Sequence, residues 1–215
     1  MAIRAEFWGD YALFTRPEMK TERVSYDVPT PSAARGMIES VYYHPGLRWI
    51  IDRIYILNPI CFTNIRRNEV KSKILGSSVR SAMNGNPSDL YIAASQDIVQ
   101  RAAMMLKSVH YVIEAHFEMT EKANASDNPG KFQDIIKRRL EKGQCYSQPY
   151  LGTRECTAKF ALWKEEKVPT IPETRDLGYM LYDFDYSDLQ SIQPMFFRAK
   201  MENGVIDLRN CEVVR

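Results

Sequence analysis

The chain has 215 residues, 45% of them hydrophobic and 26% charged, with a formal net charge of +2. That length allows one large domain or two small ones that hide roughly 70% of the unfolded surface, and so slight a charge excludes a chain-wide grip on nucleic acid, leaving only local basic patches. No run approaches the ~18 apolar residues of a membrane helix, the N-terminus lacks the apolar core of a signal peptide, and Cys61, Cys145, Cys156 and Cys211 have no C-x-x-C and no histidine at zinc spacing, which together predict a cytoplasmic protein with reduced thiols, no metal and no cofactor.

Ile3, Ala5 and Phe7 alternate with Arg4, Glu6 and Trp8, the period of a strand with one buried face. Asp10 to Pro31 is polar and punctuated by proline, with a short extended piece over Val24 to Val28. Thr30-Pro31-Ser32 opens a helix, with a hydroxyl cap and proline at the first position. Ala33, Ala34, Met37, Ile38, Val41 and Tyr42 follow at helical spacing, and His44-Pro45-Gly46 ends it. Trp49 to Leu57 reads as a second strand, its apolar run interrupted by Asp52 and Arg53. Ile60 to Arg66 reads as a third, after the break at Asn58-Pro59. Asn68 to Ser108 has no clear period and contains the loop signal Asn84-Gly85-Asn86-Pro87.

Val109 to Met119 is β-rich and reads as a strand, followed by a loop over Ala123 to Gly130. Phe132, Ile135, Ile136 and Leu140 line one face of a helix over Lys131 to Lys142, which Gly143 stops. Lys137, Arg138, Arg139 and Lys142 fall on its polar face, where the ordinary reading is a solvated surface. Thr157 to Trp163 is a further strand, and Lys164 to Arg175 is a polar connector. Tyr179 to Tyr186 and Phe196 to Met201 read as strands, and Asn203-Gly204 suits a type I′ turn. The order of strands and helices predicts an α+β chain: a ferredoxin-like, RRM-like domain over residues 1–163, then a β-sheet extension over 164–215.

His116, in Ala115-His116-Phe117-Glu118, is of a type that can move a proton near neutral pH, which suits metal-independent cleavage of RNA by its own 2′-hydroxyl. The alternative is a histidine that merely decorates a strand. Tyr42 and Tyr43 close the first helix, where a tyrosine either orients a hydroxyl, stacks on a base or simply packs. Arg66, Arg67, Lys71, Lys73 and Arg80 form a local basic track fitted to phosphates, or a solvated basic loop. Arg154 in Leu151-Gly152-Thr153-Arg154-Glu155-Cys156 either pairs with Glu155 or contacts phosphate. There is no carboxylate cluster for a catalytic metal, no P-loop, no dinucleotide fingerprint and no G-x-S-x-G.

Several segments together resemble one family: Phe7-Trp8-Gly9-Asp10-Tyr11, Ser25-Tyr26-Asp27-Val28-Pro29-Thr30-Pro31-Ser32, Glu39-Ser40-Val41-Tyr42-Tyr43-His44-Pro45, Arg66-Arg67-Asn68-Glu69, Ala115-His116-Phe117-Glu118, Leu151 to Cys156 and Met201-Glu202-Asn203-Gly204. The chain is similar to the subtype I-C form of the fifth CRISPR-associated (Cas) family. The resemblance implies a modified ferredoxin-like fold with an additional C-terminal antiparallel β-sheet region. It implies a metal-independent endoribonuclease that cuts pre-crRNA near the base of the repeat hairpin, leaves a 2′,3′-cyclic phosphate and stays on the 5′ handle beside the seventh and eighth Cas proteins. A non-cleaving, RNA-capping subunit is the alternative, and binding to double-stranded DNA is a weaker reading.

The family's site joins a tyrosine, a lysine and a histidine. Tyr42 and His116 match, whereas the lysine's positions hold Ala115 and Glu114. Two expectations follow: Glu114 shares a face with His116 and orients its ring, and Lys107, His110, Lys71 or Lys73 supplies the missing charge.

Overall fold

A computed structural model describes residues 2–19, 21–86 and 90–215. The alternating N-terminus forms β1 (Ile3–Ala12), and β2 (Arg23–Val24) is shorter than the extended piece expected. In α1 (Pro31–Val41) the Thr30 hydroxyl accepts the Ala33 N–H at 3.1 Å, as the capping residues foretold. Then come β3 (Leu47–Ile56), β4 (Phe62–Val70), α2 (Gly76–Met83) and β5 (Ile98–Met119). Asn128 caps α3 (Pro129–Lys142), and Gly143, at φ 63°, closes it. The chain ends through β6 (Lys159–Leu162), β7 (Arg175–Asp185), β8 (Gln193–Met201), β9 (Val205–Asp207) and β10 (Val213–Val214).

The chain divides into two compact units. The first joins Met1–Thr63 to Met104–Arg215 and contains the sheet β6-β1-β5-β3-β9. β1 and β3 each pair antiparallel with β5, and β6 pairs antiparallel with β1. This is the ferredoxin-like order, with the later part of β5 as its third strand. The stretch Ile60–Arg66, read as a strand of that plan, belongs instead to β4, which lies off the main path.

Helices α1 and α3 cover one face of this sheet. Met37, Ile38 and Val41 of α1 and Phe132, Ile136 and Leu140 of α3 are buried with Ile3, Ala5, Phe7, Ile54, Ile113 and Ala115. Each of the larger of these side chains contributes ~1.5–3 kcal/mol on burial. The alternating partners Arg4, Glu6, Trp8, His110, Val112, Glu114 and His116 are therefore left on the opposite face.

That opposite face is not wholly open. The polar connector leaves beside Arg4, where the Trp163 N–H donates to the Arg4 carbonyl, and arrives beside Ile56, where the Ile171 N–H donates to the Ile56 carbonyl. These points lie on opposite sides of the sheet. Midway, the Arg4 guanidinium donates to the Glu166 carbonyl at 2.7 Å. The connector thus straps the middle of the face, where Val112 is fully buried.

The remaining strands form an antiparallel three-stranded sheet, β10-β8-β7. Arg35 of α1 pairs with Asp183 of β7, and the Leu181 N–H donates to the Tyr26 hydroxyl at 3.3 Å. Asn203 and Gly204 take the expected positive φ angles of 48° and 72°. Their turn closes with one bridge, Glu202↔Val205, after which β9 leaves to pair with β3. The Asn-Gly turn hence joins two sheets, where a simple hairpin was expected.

The second unit is Asn64–Ala103. It holds α2, which buries none of its residues, and most of β4, whose residues are at best half-buried. A segment with no buried face leaves no apolar period, which is why this stretch was unreadable in sequence. Asn84–Asn86 follow α2 as the loop signal requires, while Pro87 lies outside the described residues. Among the described residues no helix is long and apolar enough to cross a membrane.

Candidate active site

The feature that builds the site is a break in β3. Ile51 opposes Ala115, but Arg53 opposes Glu114, so Asp52 is one residue more than the register needs. Bulges of this kind re-aim side chains. In a regular strand Asp52 and Arg53 point to opposite faces. Here both reach the face away from the helices: Arg53 meets Glu114 and Asp52 meets His116. The Asp52 carbonyl also accepts the Leu208 N–H at 2.9 Å, which ties the bulge to the chain beyond β9.

His116 Nδ1 lies 3.0 and 2.9 Å from the two Asp52 carboxylate oxygens. Its side chain is 36% exposed, that of Asp52 only 13%. A carboxylate only accepts, so Nδ1 carries the proton and the neutral ring keeps its lone pair on Nε2. This is a histidine with one nitrogen tied and the other available, as a proton-transfer residue must be.

Glu114 does share the face of His116, as expected, but it does not orient the ring. Its carboxylate accepts from Arg4 Nε at 2.6 Å, Arg53 Nη1 at 2.9 Å and the Tyr55 hydroxyl at 3.0 Å. Burial pushes this carboxyl up, but hydrogen bonds from Arg4 and Tyr55 and the nearby guanidinium charges outweigh it and hold it below the usual range. Glu114 is spent on the core of the strapped face.

His110 does not replace the missing lysine either. Its Nε2 lies 3.0 Å from Glu6, and its ring packs 5.7 Å from Trp8. Six residues of strand separate it from His116, roughly 20 Å, and Lys107 is farther along the same strand. Lys71 and Lys73 belong to the second unit. Among the described residues no three His, Cys, Asp or Glu side chains gather in a metal-holding cluster.

Tyr42 lies on the other side of the sheet from His116. Its ring sits 6.1 Å from Phe132, which is 6.0 Å from Phe117, the residue after His116 and on the opposite face. The Arg139 guanidinium stands 5.1 Å over the Tyr42 ring, so this arginine, expected on a solvated helix face, belongs to the cluster. Burial raises the Tyr42 hydroxyl above its ordinary range, against the opposing charges of Arg139 and Lys131. It therefore stays protonated at neutral pH, a donor and not a base. The Trp49 indole N–H donates to the Tyr42 carbonyl at 3.0 Å. Since Trp49 precedes Ile50, the cross-strand partner of His116, Tyr42 and His116 flank the same end of the sheet from its two sides.

Tyr43 is 54% exposed. Arg66, Lys71, Lys73 and Arg80 are exposed in the second unit, where Arg67 pairs with Glu69 at 2.5 Å. Arg154 is exposed and lines a cleft of about 390 Å³ with Ser40, Tyr150 and Thr157. Its loop turns at Gly152, where φ is +88° and an added Cβ would stand 2.1 Å from the Leu13 carbonyl oxygen. The residue that sequence reasoning missed is Asp52. Its one signal was its interruption, with Arg53, of an apolar strand.

The family model described as CRISPR-associated protein (Cas_Cas5), named Cas_Cas5d, matches residues 2–209. The chain is 49% identical over 213 residues to the CRISPR pre-crRNA endoribonuclease Cas5d of Mannheimia succiniciproducens, covering 96% of this chain and 94% of that one. It is 34% identical over 223 residues to the protein of the same name from Thermus thermophilus, covering 96% and 90%. Among solved structures, a CRISPR-associated protein superposes with a TM-score of 0.71 at 25% identity, over 100% of this chain and 97% of that one. The functionally uncharacterized protein SMU1763c from Streptococcus mutans gives the same TM-score of 0.71 at 26% identity and the same coverage, 100% and 97%.

Proposed function

This chain belongs to the CRISPR-associated Cas5 family in its Cas5d form, and from that premise we propose that it is an endoribonuclease that cuts pre-crRNA. The observation that carries the reading is His116, with Nδ1 on Asp52 and Nε2 free to exchange a proton. In the reaction Nε2 takes the proton of a 2′-hydroxyl, and the 2′-oxygen bonds to the adjacent phosphorus. The bond from phosphorus to the 5′-oxygen breaks, and that oxygen leaves as a hydroxyl with a proton from water, while the His116 imidazolium returns its own proton to solvent. The product end is a 2′,3′-cyclic phosphate, and the sequence of steps needs no metal and no redox partner. Tyr42 is buried on the helix side, where its protonated hydroxyl can act only as a donor at the edge of the site.

The exposed basic side chains of the second unit and Tyr43 supply phosphate and base contacts for the repeat RNA. Arg154 adds a further phosphate contact. After cutting, the protein keeps the 5′ handle, in company with the seventh and eighth Cas proteins, in the cytoplasm. One observation favours a second reading, an RNA-capping subunit that does not cut: Ala115 and Glu114 stand where the family carries its lysine, and Glu114 is bound within an ion-pair network.

Incubating the pure chain with labelled repeat RNA and EDTA decides between the two. The endoribonuclease reading expects cleavage that resists EDTA, an end that accepts no phosphate-dependent ligation until the cycle is opened, and a loss of at least ~10²-fold in His116→Ala with RNA binding retained. Binding without cleavage by the parent protein supports the capping reading.

A further inference from the structure

We infer that Asp52 is the positioning residue of the site: it fixes His116 in the tautomer that leaves Nε2 as the proton acceptor. The inference rests on the endoribonuclease reading and deepens it, because Glu114 and Ala115 precede His116 in place of a lysine and, among the described residues, the group seen to hydrogen-bond its ring is this carboxylate.

Asp52 keeps the outward parity of Arg48 and Ile50, and the one extra residue in β3 turns Arg53 to the same face, so that both side chains stand beside His116 and Glu114. The bulge is held on both flanks. The Asp52 carbonyl accepts from Leu208, and Arg53 is clamped between Glu114 at 2.9 Å and Asp207 at 3.2 Å. Asp207 is in turn held ionised, well below the usual carboxylate range, chiefly by hydrogen bonds from the Arg209 guanidinium. The carboxylate thus meets Nδ1 from a fixed backbone with little of its own surface in water.

The chemical consequence concerns one proton. In a free imidazole the proton exchanges between the two ring nitrogens, and in the Nε2–H form the exposed nitrogen cannot accept one. With Asp52 bound to Nδ1–H, every neutral His116 presents a lone pair on Nε2. When the ring gains the proton of the 2′-hydroxyl, the imidazolium it becomes sits against a carboxylate, which stabilises it without itself taking the proton. Asp52 touches neither phosphate nor 2′-hydroxyl, so it acts through His116.

Two measurements on the full chain test this. First, the ring-nitrogen shifts of ¹⁵N-histidine-labelled protein at a pH where His116 is neutral report its tautomer, with His116→Gln used to assign the signals. The expected result is Nδ1–H in the parent and a shift toward Nε2–H in Asp52→Asn. Second, single-turnover cleavage of repeat RNA by Asp52→Asn is expected to fall ~10²-fold in rate with the half-saturating protein concentration unchanged. A merely structural contact predicts an unaltered tautomer and an unaltered rate in the folded variant. Nε2–H in the parent, or a parental rate in Asp52→Asn while His116→Gln is inactive, overturns the inference and leaves the endoribonuclease reading standing. Parental cleavage by His116→Gln overturns both. The parent's own spectrum decides the tautomer even if the Asp52 variant fails to fold.

Discussion

The outer face of β5 carries two histidines, and their difference separates a site from a surface. His110 and His116 point the same way from one strand, and each meets a carboxylate. At His110 it is Nε2 that binds Glu6, and the ring leans on Trp8, with 27% of the side chain exposed. At His116 it is Nδ1 that binds Asp52, the other nitrogen is free, and 36% is exposed. Glu6 reaches His110 from a regular stretch of β1, whereas Asp52 reaches His116 from the residue at which the β3 register shifts. Between them lie the buried Val112 and the Glu114 cluster, whose Arg4 also donates to the connector at the Glu166 carbonyl. A histidine beside an acid is thus a weak sign of catalysis. Which nitrogen is tied is a stronger one.

The largest effect expected outside the active site comes from breaking the cluster between these ends. Glu114→Ala takes the shared carboxylate from two guanidinium groups and is expected to cost about 3 kcal/mol, the low end for a buried pair, because Arg4 and Arg53 keep 33% and 25% of their side chains exposed and retain Glu166 and Asp207 as partners. Urea unfolding measures it. The folded carboxyl lies below its ordinary 4.5, so its stabilisation is complete above that pH and is lost as the pH falls through the lower folded value. The deficit of the variant is therefore full at neutral pH and shrinks in acid. A deficit that grows in acid breaks the picture of a paired, ionised Glu114.

A smaller effect sharpens the contrast across the sheet. Tyr42→Phe removes one donor but keeps the packing on Phe132 and Arg139. Single-turnover cleavage is expected to slow about tenfold, the worth of one hydrogen bond, with thermal stability kept. A loss equal to that of His116→Ala would move the centre of the chemistry to the helix side. The smallest effect is the control: His110→Ala is expected to cleave within about twofold of the parent, as an ordinary surface substitution does. Equal loss in His110→Ala and His116→Ala would erase the distinction between the two ends.

Much of the fold was legible because its causes are local. The cap at Thr30, the stop at Gly143, the alternation of β1 and the turn at Asn203-Gly204 are written in residues a few positions apart. Other features depend on distant partners. The turn was plain, but its joining of two sheets was not, since β9 finds β3 some 150 residues away in sequence (Arg53↔Asp207). Residues 68–97 gave no period because, among the described residues, none of this stretch is buried.

The sequence by itself determined the ferredoxin-like order, the segments that carry the family resemblance, His116 as a candidate for proton transfer and its shared face with Glu114. Those rest on residue type and on periods of two and 3.6 residues, which a chain carries without folding. Only the tertiary structure decided that Asp52 holds His116, that Glu114 is committed to Arg4, Arg53 and Tyr55, and that Tyr42 lies across the sheet. Each of those depends on one added residue in β3 or on contacts between strands far apart in the chain, and a bulge breaks the very period by which a sequence is read.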